Sequence, residues 1–193
     1  MKARNQLISP WQRLTLAGFL MVCVSSWASA ADSVKIGVSC PMTGGSADMG
    51  VSMRNGIRLA VDEINGWAGG VIGKKIELVE RDDQANNDTG KKIAEELVNQ
   101  EKVSATIGIC NAGVGLASID TYQKAKVPLI IAVSAGTPLA KKFAETPDFY
   151  IFRASPRDEI QAPFIVAEAI KRGYRKMALF AVSALDCFGD DKG

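Results

Sequence analysis

The sequence of 193 residues contains no histidine. This absence excludes histidine-dependent triads, HExxH zinc sites and histidine general bases. Cysteine is also scarce. Cys40, Cys110 and Cys187, the three cysteines beyond the first 30 residues, lie far apart and lack the paired spacing of a zinc site. The sequence therefore predicts no metal site, no cofactor and no enzyme of these classes.

Nucleotide-binding motifs are missing as well. Residues 68–75 look like a phosphate loop, but they lack its first glycine and its final serine or threonine, and they precede a predicted strand. Gly108, Gly113 and Gly115 do not fit the GxGxxG spacing. The chain has 23 Lys and Arg against 21 Asp and Glu, and three of the basic residues lie within the first 30. This balance gives no electrostatic surface for a nucleic-acid partner.

The first 30 residues have the pattern of a secretory signal. A basic front precedes an uncharged apolar run over residues 14–27, and Ala28-Ser29-Ala30 then supplies the small residues that a signal peptidase requires. The alternative, a membrane anchor, needs roughly 20 apolar residues. Cys23 follows larger residues, which argues against lipid attachment. We expect cleavage after Ala30 and a periplasmic location.

The remaining chain alternates predicted strands and helices. Apolar runs predict strands at 34–39, 75–80, 103–109, 128–133, 149–153 and 176–182, and helical periodicity predicts helices around 53–64, after a cap at Asp88 or Thr89, over 113–124 and over 158–172. Residues 139–147 are predicted to form a loop. This alternation predicts an α/β fold with a doubly wound parallel sheet, covered by helices on both faces.

The predicted organisation has three parts. They are a signal peptide at 1–30, a ligand-binding lobe at 31–154 and an incomplete second lobe at 155–193.

Ligands of open α/β sheets bind beyond the carboxyl ends of the strands. Three loops are predicted to meet there, at 40–50, 110–113 and 133–137. Asn111 begins a helix whose free N–H groups favour a carboxylate, and Ser134 adds a hydroxyl. The alternative is that Asn111 serves only as the cap of that helix.

Several segments resemble one family in their order and spacing. They are 34–38, Thr43-Gly44-Gly45 with Gly50, 60–65, 69–76, Asp82-Asp83, Ile107-Gly108, 127–130 and Phe152-Arg153. Together they resemble the leucine/isoleucine/valine-binding proteins, which are extracytoplasmic receptors of ABC transporters with the periplasmic binding protein type 1 fold.

The resemblance implies a small-molecule ligand with free α-amino and α-carboxyl groups, held between two hinged lobes, and a membrane permease as partner. It implies a ligand site at Met49, Asn111, Ala112, Val133, Ser134, Ala135 and Phe188. Met49 stands where an aromatic residue is frequent, and Phe188 stands at a tyrosine position.

Two departures from the family qualify these expectations. A cysteine that pairs with the position of Cys110 in some members is replaced by Ala85, so Cys110 is free or paired with Cys40; we expect a buried free thiol. The chain also stops within the second lobe. We therefore expect a truncated receptor that binds amino acids weakly or not at all. A ligand sensor for a signalling partner and an extracytoplasmic α/β enzyme remain alternatives, although the enzyme would lack a GxSxG elbow.

Overall fold

A computed structural model describes residues 33–178. Within this range five strands alternate with five helices. The strands are β1 Val34–Cys40, β2 Ile76–Asp82, β3 Ala105–Gly108, β4 Leu129–Ile131 and β5 Ile151–Arg153; the helices are α1 Ala47–Trp67, α2 Asn87–Asn99, α3 Ala112–Ala125, α4 Thr137–Lys141 and α5 Asp158–Lys171. The first five predicted strands are thus confirmed. Residues 176–178 are not a strand, and the rest of the predicted sixth strand lies outside the described residues.

All the strands are parallel, in the order β2-β1-β3-β4-β5. From β1 the chain first crosses to one side, to β2, and then returns to the other side, to β3. The carboxyl ends of β1 and β3 therefore flank the point where the direction of winding reverses, and ligands of such sheets bind at that point. The predicted fold class is confirmed.

One face of the sheet carries most of the core. Leu129, Ile131 and Ile151 pack with Ile119 and Tyr122 of α3 in one buried cluster. A second buried cluster joins Val79 of β2 with Ile93 and Leu97 of α2. The core therefore fixes the starts of α2 and α3 relative to the strand ends that precede them.

The opposite face is covered over only part of its width. Val38 packs there with Met53 and Ile57 of α1. Ile130 and Phe152 continue the same row across β4 and β5, yet they are 36% and 47% exposed. Only the β1–β2 crossover runs in the direction that places its helix on this face. The prediction that helices cover both faces is therefore wrong over β4 and β5 within the described residues.

Two local predictions were also wrong. Asn86, and not Asp88 or Thr89, caps α2: its side chain accepts a hydrogen bond of 3.0 Å from the Thr89 backbone N–H. The predicted loop 139–147 begins inside α4, a short helix with Pro138 in its first turn. Proline is favoured there because its fixed φ suits a helix start and no N–H is lost.

The last described helix stands apart from the core. No residue of α5 is buried, and Phe164 and Ile170 are exposed. Pro163 lies inside this helix. Among residues 33–178, no helix has both the length and the apolar character needed to cross a bilayer.

Candidate ligand-binding site

The three predicted loops meet at the carboxyl edge of β1, β3 and β4. The Asn111 side-chain nitrogen, before α3, donates a 3.2 Å hydrogen bond to Ser46 Oγ, before α1. The Ser134 backbone N–H donates to the Ile109 carbonyl over 3.0 Å. A Cβ on Gly136 would lie 2.9 Å from Ala112 Cβ. The segment before α3 is thus in contact with the segments before α1 and before α4, around the reversal point.

Asn111 occupies the N-cap position of α3, but its side chain makes no capping hydrogen bond. Its amide nitrogen is directed to Ser46 instead, and its Oδ1 is buried without a hydrogen-bond partner among the described residues. The Asn111 side chain therefore does not act as a helix cap. A buried acceptor without a donor is unfavourable unless a ligand or water supplies one.

The start of α3 offers backbone donors beside this acceptor. The first N–H groups of a helix have no acceptor within the helix and carry the positive end of its dipole. Those of Ala112 and Gly113 have no acceptor within residues 33–178; the first bonded amide of this turn is that of Gly115, which reaches the Asn111 carbonyl over 3.1 Å.

The loop before α4 presents main chain and not large side chains. Ser134 is 4% exposed. Its carbonyl accepts hydrogen bonds from Arg153 (2.8 Å) and from Ser155 Oγ (2.7 Å). Val133 packs against the cluster of Val38, Cys40 and Cys110, so it offers a ligand its backbone. Ala135 is half-buried.

Asp82 holds the first loop in place. Its carboxylate accepts hydrogen bonds from the Met42 N–H (2.7 Å), the Thr43 hydroxyl (2.6 Å) and the Gln84 N–H (3.0 Å). Burial alone would raise the pKa of Asp82, but these hydrogen bonds outweigh it and lower that pKa below its ordinary value. Only the resemblance had singled out Asp82, and its role depends on contacts far apart in sequence.

Met49 is in a helix and not in a loop. It lies in the first turn of α1, and its side chain is 45% exposed. Next to it, an added Cβ on Gly50 would lie 2.0 Å from the Pro41 carbonyl oxygen, so only glycine lets this turn approach the loop. Phe188 lies outside the described residues.

A buried polar group and two thiols lie beneath the loops. Asp83 is fully buried; Ser39 Oγ and the Ala85 N–H donate to it over 3.2 and 3.0 Å. Burial raises its pKa.

Cys40 and Cys110 are free and buried, as predicted, and burial raises the pKa of each thiol to about 12. Within the described range no group of His, Cys, Asp or Glu side chains could hold a metal ion.

A surface groove of about 590 Å³ lies elsewhere, between α2 and α3. Lys91, Glu95, Asp120 and Lys124 contribute opposite charges to its walls, and none of the predicted site residues lines it. None of the buried polar atoms without a partner lies in this groove. The carboxyl edge of β1, β3 and β4 is therefore the better candidate for ligand binding.

In doubly wound parallel sheets, the point where the winding reverses is where small-molecule sites lie, and this chain has unsatisfied polar groups there. Residues 33–186 match the family model described as "Periplasmic binding protein". The chain belongs to this family.

The similar proteins include Leu/Ile/Val-binding protein homolog 2 of Brucella abortus (strain 2308), which is 32% identical over 142 residues, covering 74% of this chain and 37% of the relative. Among solved structures, the branched-chain amino acid transporter substrate binding protein LivJ of Streptococcus pneumoniae, in complex with isoleucine, is 35% identical with a TM-score of 0.61 and covers 66% of this chain and 35% of that one.

A solute binding protein of an ABC transporter from Rhodopseudomonas palustris BisB5, in complex with 3,4-dihydroxybenzoic acid, is 33% identical with a TM-score of 0.64. It covers 73% of this chain and 37% of that chain. The chain thus spans well under half of the length of each of these three proteins. The resemblance to the leucine/isoleucine/valine-binding proteins is confirmed, and these relatives are binding proteins and not enzymes.

Proposed function

We propose that this chain forms the first-lobe wall of the ligand site in an extracytoplasmic receptor of an ABC transporter, and that its ligand is a branched-chain or related amino acid. The observation that carries the proposal is the pairing of opposite polarities at one edge of the sheet. Unsatisfied N–H groups at Ala112 and Gly113 suit a carboxylate, and the buried Oδ1 of Asn111 suits an ammonium group.

The ligands of the two solved relatives support the carboxylate half of this proposal. Isoleucine and 3,4-dihydroxybenzoic acid differ in shape but share a carboxylate. Only the amino acid also carries an α-ammonium group. Either class of ligand brings a hydrogen-bond donor for Asn111 Oδ1, an ammonium group in one case and a hydroxyl group in the other. Comparison of the affinities for an amino acid and for an aromatic acid therefore decides which class this chain binds.

The amino-terminal pattern supports delivery of this lobe outside the cytoplasm. We propose that the first 30 residues are removed on export, that the protein is periplasmic, and that a membrane permease receives the ligand from it. Mass spectrometry of the exported protein tests the first step. It should find a chain that begins at Ala31; a chain that keeps Met1, or a lipid on Cys23, would contradict it.

The ligand is tested with the exported chain labelled with ¹⁵N. L-Leucine, 4-hydroxybenzoate and L-leucinamide are titrated separately, since amide signals report even weak binding. L-Leucine should bind, and L-leucinamide, which keeps the ammonium but lacks the carboxylate, should bind about tenfold more weakly. Tighter binding of 4-hydroxybenzoate would move the assignment to aromatic acids. Equal binding of leucine and leucinamide would contradict the proposal.

A further inference from the structure

Arg153, the last residue of β5, contacts three consecutive carbonyl groups of the loop before α4. One guanidinium nitrogen donates to Ser134 O (2.8 Å) and Gly136 O (3.3 Å), and the other makes a longer contact of 3.5 Å with Ala135 O. These carbonyls belong to the loop that lies against Ala112. The Arg153 guanidinium thus contacts three consecutive carbonyl oxygens of this loop.

This contact fixes the direction of the loop's donors. In a trans peptide unit the C=O and the following N–H point in opposite directions. When the carbonyls of Ser134, Ala135 and Gly136 face the guanidinium, the N–H groups of Ala135, Gly136 and Thr137 face away from it. None of these three N–H groups has an acceptor within residues 33–178. Free N–H groups of this kind are donors that an anion such as a carboxylate can accept from.

Arg153 is not held in its position by an ion pair with a described residue. The guanidinium is half-buried, no described carboxylate lies within ion-pair distance of it, and its Nε is buried without a partner. Burial lowers its pKa, and the nearby carboxylate of Asp158 offsets this only in part. The hydrogen bonds of Arg153 go to carbonyl oxygens, and the carboxylates of Asp158 and Glu159 act on its charge from beyond ion-pair distance. Arginine is suited to this arrangement because its rigid planar fork reaches several oxygens at once, which a lysine ammonium cannot do.

Other residues that follow β5 support the same carbonyls. Ser155 Oγ donates to Ser134 O over 2.7 Å, and the Asp158 N–H donates to Ala135 O over 3.0 Å. The carbonyl of Gly136, the N-cap of α4, faces the first turn of that helix and also accepts a hydrogen bond from Arg153 over 3.3 Å. The segment that leaves the sheet therefore holds the loop, and Arg153 is the contact common to all three carbonyls.

We propose that Arg153 is a positioning residue, which orients the peptide units of 134–137 so that their N–H groups receive the carboxylate of the ligand. This inference rests on the proposed function for the ligand and on the loop geometry for the positioning. It predicts that loss of the guanidinium weakens carboxylate recognition in particular, and that a lysine does not restore it.

Three variants of the exported chain test this proposal: Arg153→Met, Arg153→Lys and Arg157→Met. Arg157 is the matched control, since it pairs with Glu159 at 3.0 Å and removing it deletes the same charge four residues away. The probes are L-leucine and L-leucinamide, and the amide signals of Ala135, Gly136 and Thr137 report the loop directly.

Arg153→Met and Arg153→Lys should both move the three amide signals and weaken L-leucine about tenfold, with a smaller loss for L-leucinamide. Arg157→Met should leave both the signals and the affinities close to those of the parent. If Arg153→Met does not fold, Arg153→Lys decides the result alone. Parent-like affinity and loop signals in Arg153→Lys, or an equal loss for both probes, would overturn the proposal.

The two proposals can fail separately. If the parent chain binds both probes equally, the proposed function fails, and the three amide signals still decide the positioning of the loop. Unchanged signals in Arg153→Met would then overturn the role of Arg153.

Discussion

The side-chain amide of Asn111 donates to Ser46 Oγ over 3.2 Å, across 65 residues of sequence. The bond joins the start of α3 to the loop before α1, on either side of the point where the sheet reverses its winding. Because the amide nitrogen is used within the lobe, Oδ1 is left as a buried acceptor. This contact therefore holds the two segments together and also leaves Oδ1 as the acceptor of the candidate site.

Replacing Asn111 with leucine should remove that acceptor. We expect Asn111→Leu to weaken L-leucine by about 10- to 100-fold, which corresponds to about 1–3 kcal/mol for a lost polar partner. Ser134→Ala should have a smaller effect, because the contacts of Ser134 described above are made by its backbone. The measurement is titration followed by amide signals, with Asn99→Leu on exposed α2 surface as control. Parent-like affinity in both Asn111→Leu and Ser134→Ala would show that neither side chain contributes to the ligand site.

Two glycines of α1 should respond in opposite ways to alanine. Gly50→Ala places a Cβ 2.0 Å from the Pro41 carbonyl oxygen and should cost about 1–3 kcal/mol through overpacking. Gly56 has nothing within 4 Å of an added Cβ, so Gly56→Ala should gain about 0.5–1 kcal/mol through helix propensity. Urea unfolding curves measure both. Similar unfolding free energies for the two variants would show that the first turn of α1 does not press on Pro41.

Asp83 should make stability depend on pH in the direction opposite to most acidic groups. Burial raises its pKa above the ordinary value of 3.8, so the folded protein binds this proton more tightly than the unfolded chain. The charged form therefore destabilises the fold above that pKa, and the cost disappears as the pH falls. Asp83→Asn should be more stable than the parent near about pH 7, and the difference should shrink towards about pH 4. Asp88→Asn, on an exposed position, is the control. A difference that grows on acidification would contradict the assignment.

The two buried thiols should be inert in the folded protein. Burial raises the pKa of Cys40 and Cys110 to about 12, which leaves almost no thiolate at neutral pH. Iodoacetamide should therefore label neither residue until the protein is unfolded, as peptide mapping by mass spectrometry can show. Labelling in the folded state, or a Cys40–Cys110 disulfide in the non-reduced map, would be the contrary result.

The strands and most of the helices were predictable because their signals are local. The apolar run that begins at Val34 and the helical spacing of Met53 and Ile57 reflect contacts that the structure contains. The exposure of Ile130 and Phe152 was not predictable from such runs. It depends on the strand order, which places only α1 on their face.

The candidate site was only partly predictable. The crevice rule and the loop residues pointed to Asn111 and Ser134, but not to the groups that hold them. Asp82 acts on a loop 39 or 40 residues away, and Arg153 acts on one 17 to 19 residues away. Contacts of this kind follow from strand adjacency, which has no signature in the local sequence.

The location of the bound ligand is the most direct test of this account. The exported chain, labelled with ¹⁵N, is titrated with L-leucine, and each shifted amide signal is assigned to a residue. The shifts should be concentrated at Asn111, Ala112, Gly113, Ala135 and Gly136. Shifts concentrated in the α2–α3 groove, or spread without any at these five amides, would contradict this prediction.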